Sequence, residues 1–307
     1  MAILGAHMSA AGGFHKAVER AAAEGCDCVQ IFTTPPRQWP VKPSAGNAKP
    51  VRLGTKNNNQ WRAKPITQDD VDQFQEKLNE CQIGYPLSHS SYLINLASPD
   101  PELWKKSVNA FVIELRRADQ LGIPYVVLHP GSHMGEGEAA GIRRVCRALN
   151  ETHRRTRGIT SQCLIETTAG QGTCLGWRFE HIASILDGVR EPDRLGICFD
   201  TCHVFAAGYP LATERQYRET MRQLNRLCGC ARVKAFHLND SKRELGSRVD
   251  RHEHIGQGHL GTQSFRFLLE DRRFRSVPMY LETPKGEAKG KSCDSVNLCM
   301  LRSLSDS

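Results

Sequence analysis

The sequence predicts an α/β protein built as a (β/α)8 barrel. Eight short apolar runs each end in a polar side chain, and eight segments of helical periodicity alternate with them. Neither a glycine-rich dinucleotide turn nor a linker interrupts the series. Continuous rather than alternating hydrophobicity is what a strand buried on both faces requires, as in a parallel sheet covered by helices. Eight strand–helix units in 307 residues close into a barrel more naturally than they spread into an open doubly wound sheet. The lack of G-x-G-x-x-G after the first run removes the main support for the open alternative.

The runs, in order, are "AILGAH" to His7, "CVQIFT" to Thr33, "IGYPLSH" to His89 and "YVVLH" to His129. Then come "QCLIE" to Glu166, "LGICFD" to Asp200, "VKAFH" to His237 and "PMYLE" to Glu282. Between them, Val71, Phe74, Leu78 and Cys81 recur at helical spacing behind Thr67, with Asp70 completing a capping box. Trp104, Val108, Phe111, Leu115 and Ala118 mark a longer helix that Gly122 ends, and Tyr217, Met221, Leu224 and Cys228 repeat the pattern. Further helices are expected to begin near Gly13, Glu136, Trp177, Thr262 and Ser292. One domain over residues 1–307 is expected, with an insertion-like stretch at 34–64 that is long for an ordinary βα loop.

Composition narrows the partners. Hydrophobic residues at 39% and charged residues at 24% are those of a soluble globular protein, and no apolar run reaches the eighteen or so residues of a membrane helix. The N-terminus does not read as a signal peptide, so a cytoplasmic, membrane-free monomer is the expectation. Twelve cysteines without a C-x-x-C pair are expected to be small buried residues rather than a zinc finger or a disulfide framework. The net charge is +8. Arg37, Lys42, Lys49, Arg52, Lys56, Arg62 and Lys64 follow one another without an acidic residue, interleaved with Trp39 and Trp61. That pairing of cations and aromatics suits a polyanion better than a merely solvated loop does.

In a barrel of this class the C-terminal strand ends converge on one face. His89, His129, Glu166, Asp200, His237 and Glu282 are therefore expected to line one bowl. A lone strand-end histidine is more often structural than a ligand, but several carboxylates cannot be buried together without counter-charge, each costing several kcal/mol. Imidazole nitrogen mixed with carboxylate oxygen suits Zn2+, with Mn2+ or iron as alternatives. His203 lies three residues beyond Asp200, on the loop at that strand end, and Asp250 and His252 are spaced to face one ion. Nine such residues exceed the needs of one ion, so two or three are expected, with Glu166 shared between a pair. Cys202 is expected to pack, and His15, His153 and His181 to be structural members of helices. His133, His254 and His259 are read as structural or substrate contacts, and Glu76 and Glu80 as part of a solvated helix face.

"GAHMSAAGG", "SHSSYLINLASPD", "LHPGSH", "IETTAGQG", "FDTCHVFAAGY", "FHLNDSK", "DRHEHIGQG" and "LETP" occur in order from the first strand to the last. Through them the chain resembles the endonuclease IV family of apurinic/apyrimidinic endonucleases. The resemblance implies a TIM barrel of the xylose-isomerase-like kind, three zinc ions, and cleavage of double-stranded DNA on the 5′ side of abasic sites. It implies that His89, His129 and Glu166 hold the first ion, that Glu166 links it to a second held by Asp200, His237 and Glu282, and that His203, Asp250 and His252 hold the third. Glu166, Asp200 and Glu282 are then the carboxylates at the reacting centre.

Tyr92 and Leu93 match the family's lesion-penetrating loop, and Gln171 matches a DNA contact. In the second-strand loop "FTTPPRQW" looks like the family's pattern, yet "KNNNQWRAKP" matches its flanks better; this alignment makes residues 34–55 an insertion and brings Asn59, Trp61 and Arg62 toward DNA. Asn59 stands where the family carries an arginine, and Arg37 of the insertion is the group expected to replace it. Two rivals explain less. A two-metal sugar isomerase leaves His203, Asp250 and His252 idle, and a non-catalytic DNA-binding barrel leaves the whole metal set unexplained.

Overall fold

In the computed structural model, which describes residues 2–34, 65–288 and 290–305, eight parallel strands close into a barrel. They are β1 (Leu4–His7), β2 (Cys28–Phe32), β3 (Gly84–His89), β4 (Tyr125–Leu128), β5 (Gln162–Glu166), β6 (Leu195–Asp200), β7 (Val233–Leu238) and β8 (Met279–Leu281). Each pairs with its neighbours in sequence, and β8 returns to β1, where Gly5 lies opposite Tyr280. The segment read as an insertion lies, except for Thr34, outside the described residues.

Nine α-helices occur among the described residues: α1 (Phe14–Ala23), α2 (Gln68–Glu80), α3 (Pro101–Gln120), α4 (Glu138–Arg155), α5 (Phe179–Gly188), α6 (Thr201–Ala206), α7 (Glu214–Leu227), α8 (Gly261–Glu270) and α9 (Cys293–Ser305). Thr67 and Asp70 form both halves of the capping box that opens α2. Asp100 caps α3 through the amides of Glu102 and Leu103, and Gly122 follows that helix at φ 71°. The exception to the eight expected helices is α6. It begins directly after β6 because the Asp200 Oδ1 accepts a hydrogen bond from the His203 amide at 2.7 Å. His203 is therefore on a capped helical turn, not on a loop.

The core has two parts. Outward side chains of the strands, such as Val29, Ile31, Ile165, Ile197, Phe199 and Phe236, pack beneath the helices with Phe74, Phe111, Phe179 and Phe265. Inward side chains form a separate plug of Cys28, Leu87, Val127, Leu164, Cys198, Ala235 and Tyr280, one from each of β2 to β8. The Tyr280 hydroxyl donates to the Tyr85 carbonyl at 2.6 Å, so even the plug's one phenol is satisfied. All twelve cysteines are free, and most are buried, as expected of small core residues. No helix among the described residues is long and apolar enough to cross a membrane.

His153 on α4 is buried, and neither ring nitrogen finds a hydrogen-bond partner among the described residues. Burial, helped by the nearby Arg194 guanidinium, pushes its imidazole down to about 4. Above pH 6.5 both folded and unfolded forms are neutral, so the group is silent. As pH falls from 6.5 toward 4 only the unfolded chain takes up the proton, and stability is lost. His153→Gln is expected to remove on the order of 2 kcal/mol of the stability difference between pH 7 and pH 4.5. Urea midpoints at the two pH values measure this.

Candidate active site

Side chains alternate along a strand, so the residue two positions beyond each plug residue also points inward, one layer higher. Cys28 is followed by Gln30, Leu87 by His89, Val127 by His129, Leu164 by Glu166, Cys198 by Asp200, Ala235 by His237 and Tyr280 by Glu282. Six of the seven are the strand-end residues read from sequence. The register aligns Asp200 directly beside His237 across β6 and β7. After β4, Gly131 at φ 103° turns the chain where a Cβ would run into the Asn95 side chain, so only glycine fits the turn that follows His129.

Glu166 is the centre of the bowl. It is fully buried, and its two oxygens face different imidazoles. Oε2 lies 2.8 Å from His129 Nε2 and 3.1 Å from His89 Nε2. Oε1 lies 2.9 Å from His237 Nδ1 and 3.3 Å from His203 Nδ1. His237 Nδ1 is also 3.2 Å from Glu282 Oε2. A neighbouring cluster joins His203 Nε2 to Asp250 Oδ2 at 3.2 Å and His252 Nε2 to Asp250 Oδ1 at 3.3 Å, with the two histidine nitrogens 3.5 Å apart. The sets His89–His129–Glu166, Glu166–Asp200–His237–Glu282 and Asp200–His203–His252 each present ligand atoms within 4.8 Å of one another, a spacing that could hold an ion.

Four of the histidines are held from their outward side. His89 Nδ1 donates to the Ser90 carbonyl at 2.7 Å, His203 Nδ1 to that of Thr167 at 2.8 Å and His252 Nδ1 to that of Glu282 at 3.1 Å. His237 Nε2 donates to the Gln30 Oε1 at 2.8 Å. A carbonyl can only accept, so each ring carries its proton on the outer nitrogen and the other nitrogen is left for the bowl. In His89 and His237 that inner nitrogen lies within hydrogen-bonding distance of a carboxylate oxygen, so a proton joins each pair in the ion-free chain and a bound cation would take that proton's place. The electrostatics agree. Burial alone would lower the imidazoles of His203 and His237, yet nearby acidic groups, Asp200 and Asp250 for the first, Cys198 and Glu282 for the second, hold both well above their ordinary value. Burial would likewise raise the Glu166 carboxyl, and the imidazoles of His129 and His237 override it and keep it well below the usual range.

Around this centre, Tyr92 stands at the mouth with its ring 5.1 Å from that of His89 and 5.7 Å from that of His129, and it is 56% exposed. Leu93 beside it is half-buried. Gln171 is exposed, and its Oε1 accepts from the Asp250 amide at 3.4 Å. Arg37, Asn59, Trp61 and Arg62 lie outside the described residues. Cys202 approaches Asp250 and His252, but burial pushes its thiol up to about 12 and its Sγ donates to the Arg251 carbonyl. It packs, as expected. His133 accepts from the Gly137 amide and His254 bonds Asn297, both structural roles. Sequence reasoning passed over Gln30 and Asn239. Asn239 is fully buried, donates to Asp200 Oδ2 at 2.7 Å and accepts from the Glu282 amide at 3.0 Å. The one signal for Gln30 is a polar residue inside the apolar run "CVQIF".

This fold and strand-end site define a xylose isomerase-like TIM barrel, and the family model of that description matches residues 18–298. Over 304 residues the chain is 46% identical to the probable endonuclease 4 of Geobacter sp. (strain M21), covering 99% of each. It is 48% identical over 301 residues to the probable endonuclease 4 of Trichlorobacter lovleyi, covering 98% of this chain and 99% of the relative. The crystal structure of endonuclease IV from Thermus thermophilus superposes with a TM-score of 0.79 at 33% identity, covering 99% of this chain and 98% of that one. The chain belongs to the endonuclease IV family. It is an enzyme of the deoxyribonuclease IV type, a DNA-repair nuclease that hydrolyses phosphodiesters, which disposes of both the sugar isomerase and the non-catalytic barrel.

Asn239→Ala leaves Asp200 Oδ2 and the Glu282 amide without their buried partner. A loss of about 1–3 kcal/mol is expected, read as a lower urea midpoint with an unchanged slope.

Proposed function

We propose that the protein cuts double-stranded DNA on the 5′ side of abasic sites, leaving a 3′-hydroxyl, and that the same centre trims blocked 3′ ends. The observation that carries this reading is Glu166, one buried carboxylate with Oε2 turned to His89 and His129 and Oε1 turned to His237. That is what a ligand shared between two cations requires, and the inward lone pairs of its neighbours fit the same group. On this reading His89, His129 and Glu166 hold one zinc ion, and Glu166, Asp200, His237 and Glu282 a second. His203, Asp250 and His252 hold a third, with manganese as an alternative occupant. Bound ions of this kind activate water, neutralise the phosphate and stabilise the departing alkoxide.

The chain's own residues supply position and selection. Asp200 spends Oδ1 on the α6 amide and keeps Oδ2 toward the cluster, so the helix cap and the site use different atoms of one group. An abasic sugar leaves the duplex at less cost than a paired nucleotide, and the exposed ring of Tyr92, with Leu93, fills the gap it leaves. Gln171 contacts DNA beside Asp250. Asn59, Trp61, Arg62 and Arg37 grip the backbone from the basic stretch 37–64, whose charge favours a polyanion.

The test is incision of a duplex carrying one tetrahydrofuran abasic analogue, which cannot undergo β-elimination. A single cut 5′ to the lesion, lost on stripping metals and restored by zinc, is expected; an intact duplex from zinc-loaded protein would exclude the reading. Glu166→Gln should lower the cutting rate at least 10³-fold, an order of magnitude set by the several kcal/mol such a cluster contributes. Tyr92→Ala should reduce kcat/KM on the lesion by roughly 10-fold, from about 1–3 kcal/mol of lost base stacking. Its binding of undamaged duplex should change little, as gel-shift titrations would record.

A further inference from the structure

Gln30 is fully buried on the inward face of β2 and belongs to none of the three ligand sets. Its Oε1 accepts from His237 Nε2 at 2.8 Å. Its Nε2 donates to Glu282 Oε1 at 2.6 Å and to His7 Nδ1 at 2.9 Å. The orientation of the amide follows from Glu282, because the reversed amide would set two oxygens against each other at that 2.6 Å separation. Two consequences follow. His237 must carry a proton on Nε2, so Nδ1 is the nitrogen that can exchange its proton for a cation, and that atom lies toward Glu166, Glu282 and Asp200. Glu282 has Oε1 engaged by Gln30, so Oε2 is the oxygen turned toward His237 Nδ1.

We propose that Gln30 is a positioning residue for the cation site formed by Glu166, Asp200, His237 and Glu282: one amide fixes both the tautomer of His237 and the rotation of Glu282, so that Nδ1 and Oε2 present themselves to the same ion. This rests on the assignment of His237 and Glu282 as ligands. The outward nitrogens of His89, His203 and His252 are held by backbone carbonyls, which no substitution removes. His237 alone among them depends on a side chain, which makes this ligand the one whose orientation can be tested.

The experiment compares the wild-type full chain with Gln30→Met, which keeps the volume and loses all three hydrogen bonds. A second variant, Gln30→Glu, keeps an acceptor for His237 but repels Glu282. Zinc affinity is read by competition with a chromophoric chelator, and the His237 tautomer by imidazole 15N shifts of the metal-free protein at a pH alkaline enough for the ring to be neutral. Gln30→Met should weaken one zinc ion by about 10–100-fold, leave the others unchanged and abolish the Nε2–H signature. Gln30→Glu should keep that signature and still weaken the same ion. Zinc affinity within twofold of wild type in either folded variant would overturn the proposal. His237→Ala serves as the control for the underlying assignment. If wild type binds no zinc, or His237→Ala lowers neither stoichiometry nor affinity, the ligand assignment itself fails.

Discussion

The two-residue repeat of a β-strand, imposed on a closed ring of eight, governs the rest of this structure. Once a strand commits one side chain to the barrel interior, the residue two places on must also point inward, a layer nearer the mouth. Seven strands place an apolar residue or cysteine, or the Tyr280 ring, in the lower layer and a polar residue in the upper one. The apolar plug supports the polar ring from below, and the ring needs no loop to hold most of its members. A site built on strands in this way inherits the rigidity of the sheet.

That placement creates an electrostatic problem, and the surroundings answer only half of it. Burying Glu166 among imidazoles is tolerable because opposite charge offsets the loss of hydration, which is why its carboxyl stays ionised despite being fully enclosed. The carbonyls of Ser90, Thr167 and Glu282 settle the outer nitrogens. The inner ones face carboxylate oxygens, where only an exchangeable proton lies between them. Around His89, His203, His237 and His252 the protein fixes the polar directions that lead away from the centre and turns the exchangeable ones into it.

Much of this was legible in the chain. The strand ends at His89, His129, Glu166, Asp200, His237 and Glu282 could be read because a buried parallel strand is a continuous apolar run and its end is sharp. The bowl follows from topology alone. The helix α6 was not legible, because "TCHVFA" is short and carries no period, and its cap, Asp200, had already been read as a site residue. Gln30 and Asn239 escaped for a related reason. Neither titrates nor has a spacing that marks it, and their roles depend on which atoms meet across the barrel, between residues 207 apart for Gln30 and His237 and 39 apart for Asn239 and Asp200. Leu93, by contrast, was reached only through its resemblance to a loop of the family, since nothing in its own chemistry points to DNA.

The plug has a consequence for traffic. Leu87, Val127, Leu164, Cys198 and Tyr280 are all but inaccessible to solvent, so among the described residues the barrel is a well closed at its floor. Water, protons and ions reach the cluster only past the rim, where His129, Asp250 and Tyr92 are partly open. Any large ligand seated on that rim therefore stoppers the well, and whatever the cluster holds at that moment stays with it until the ligand departs.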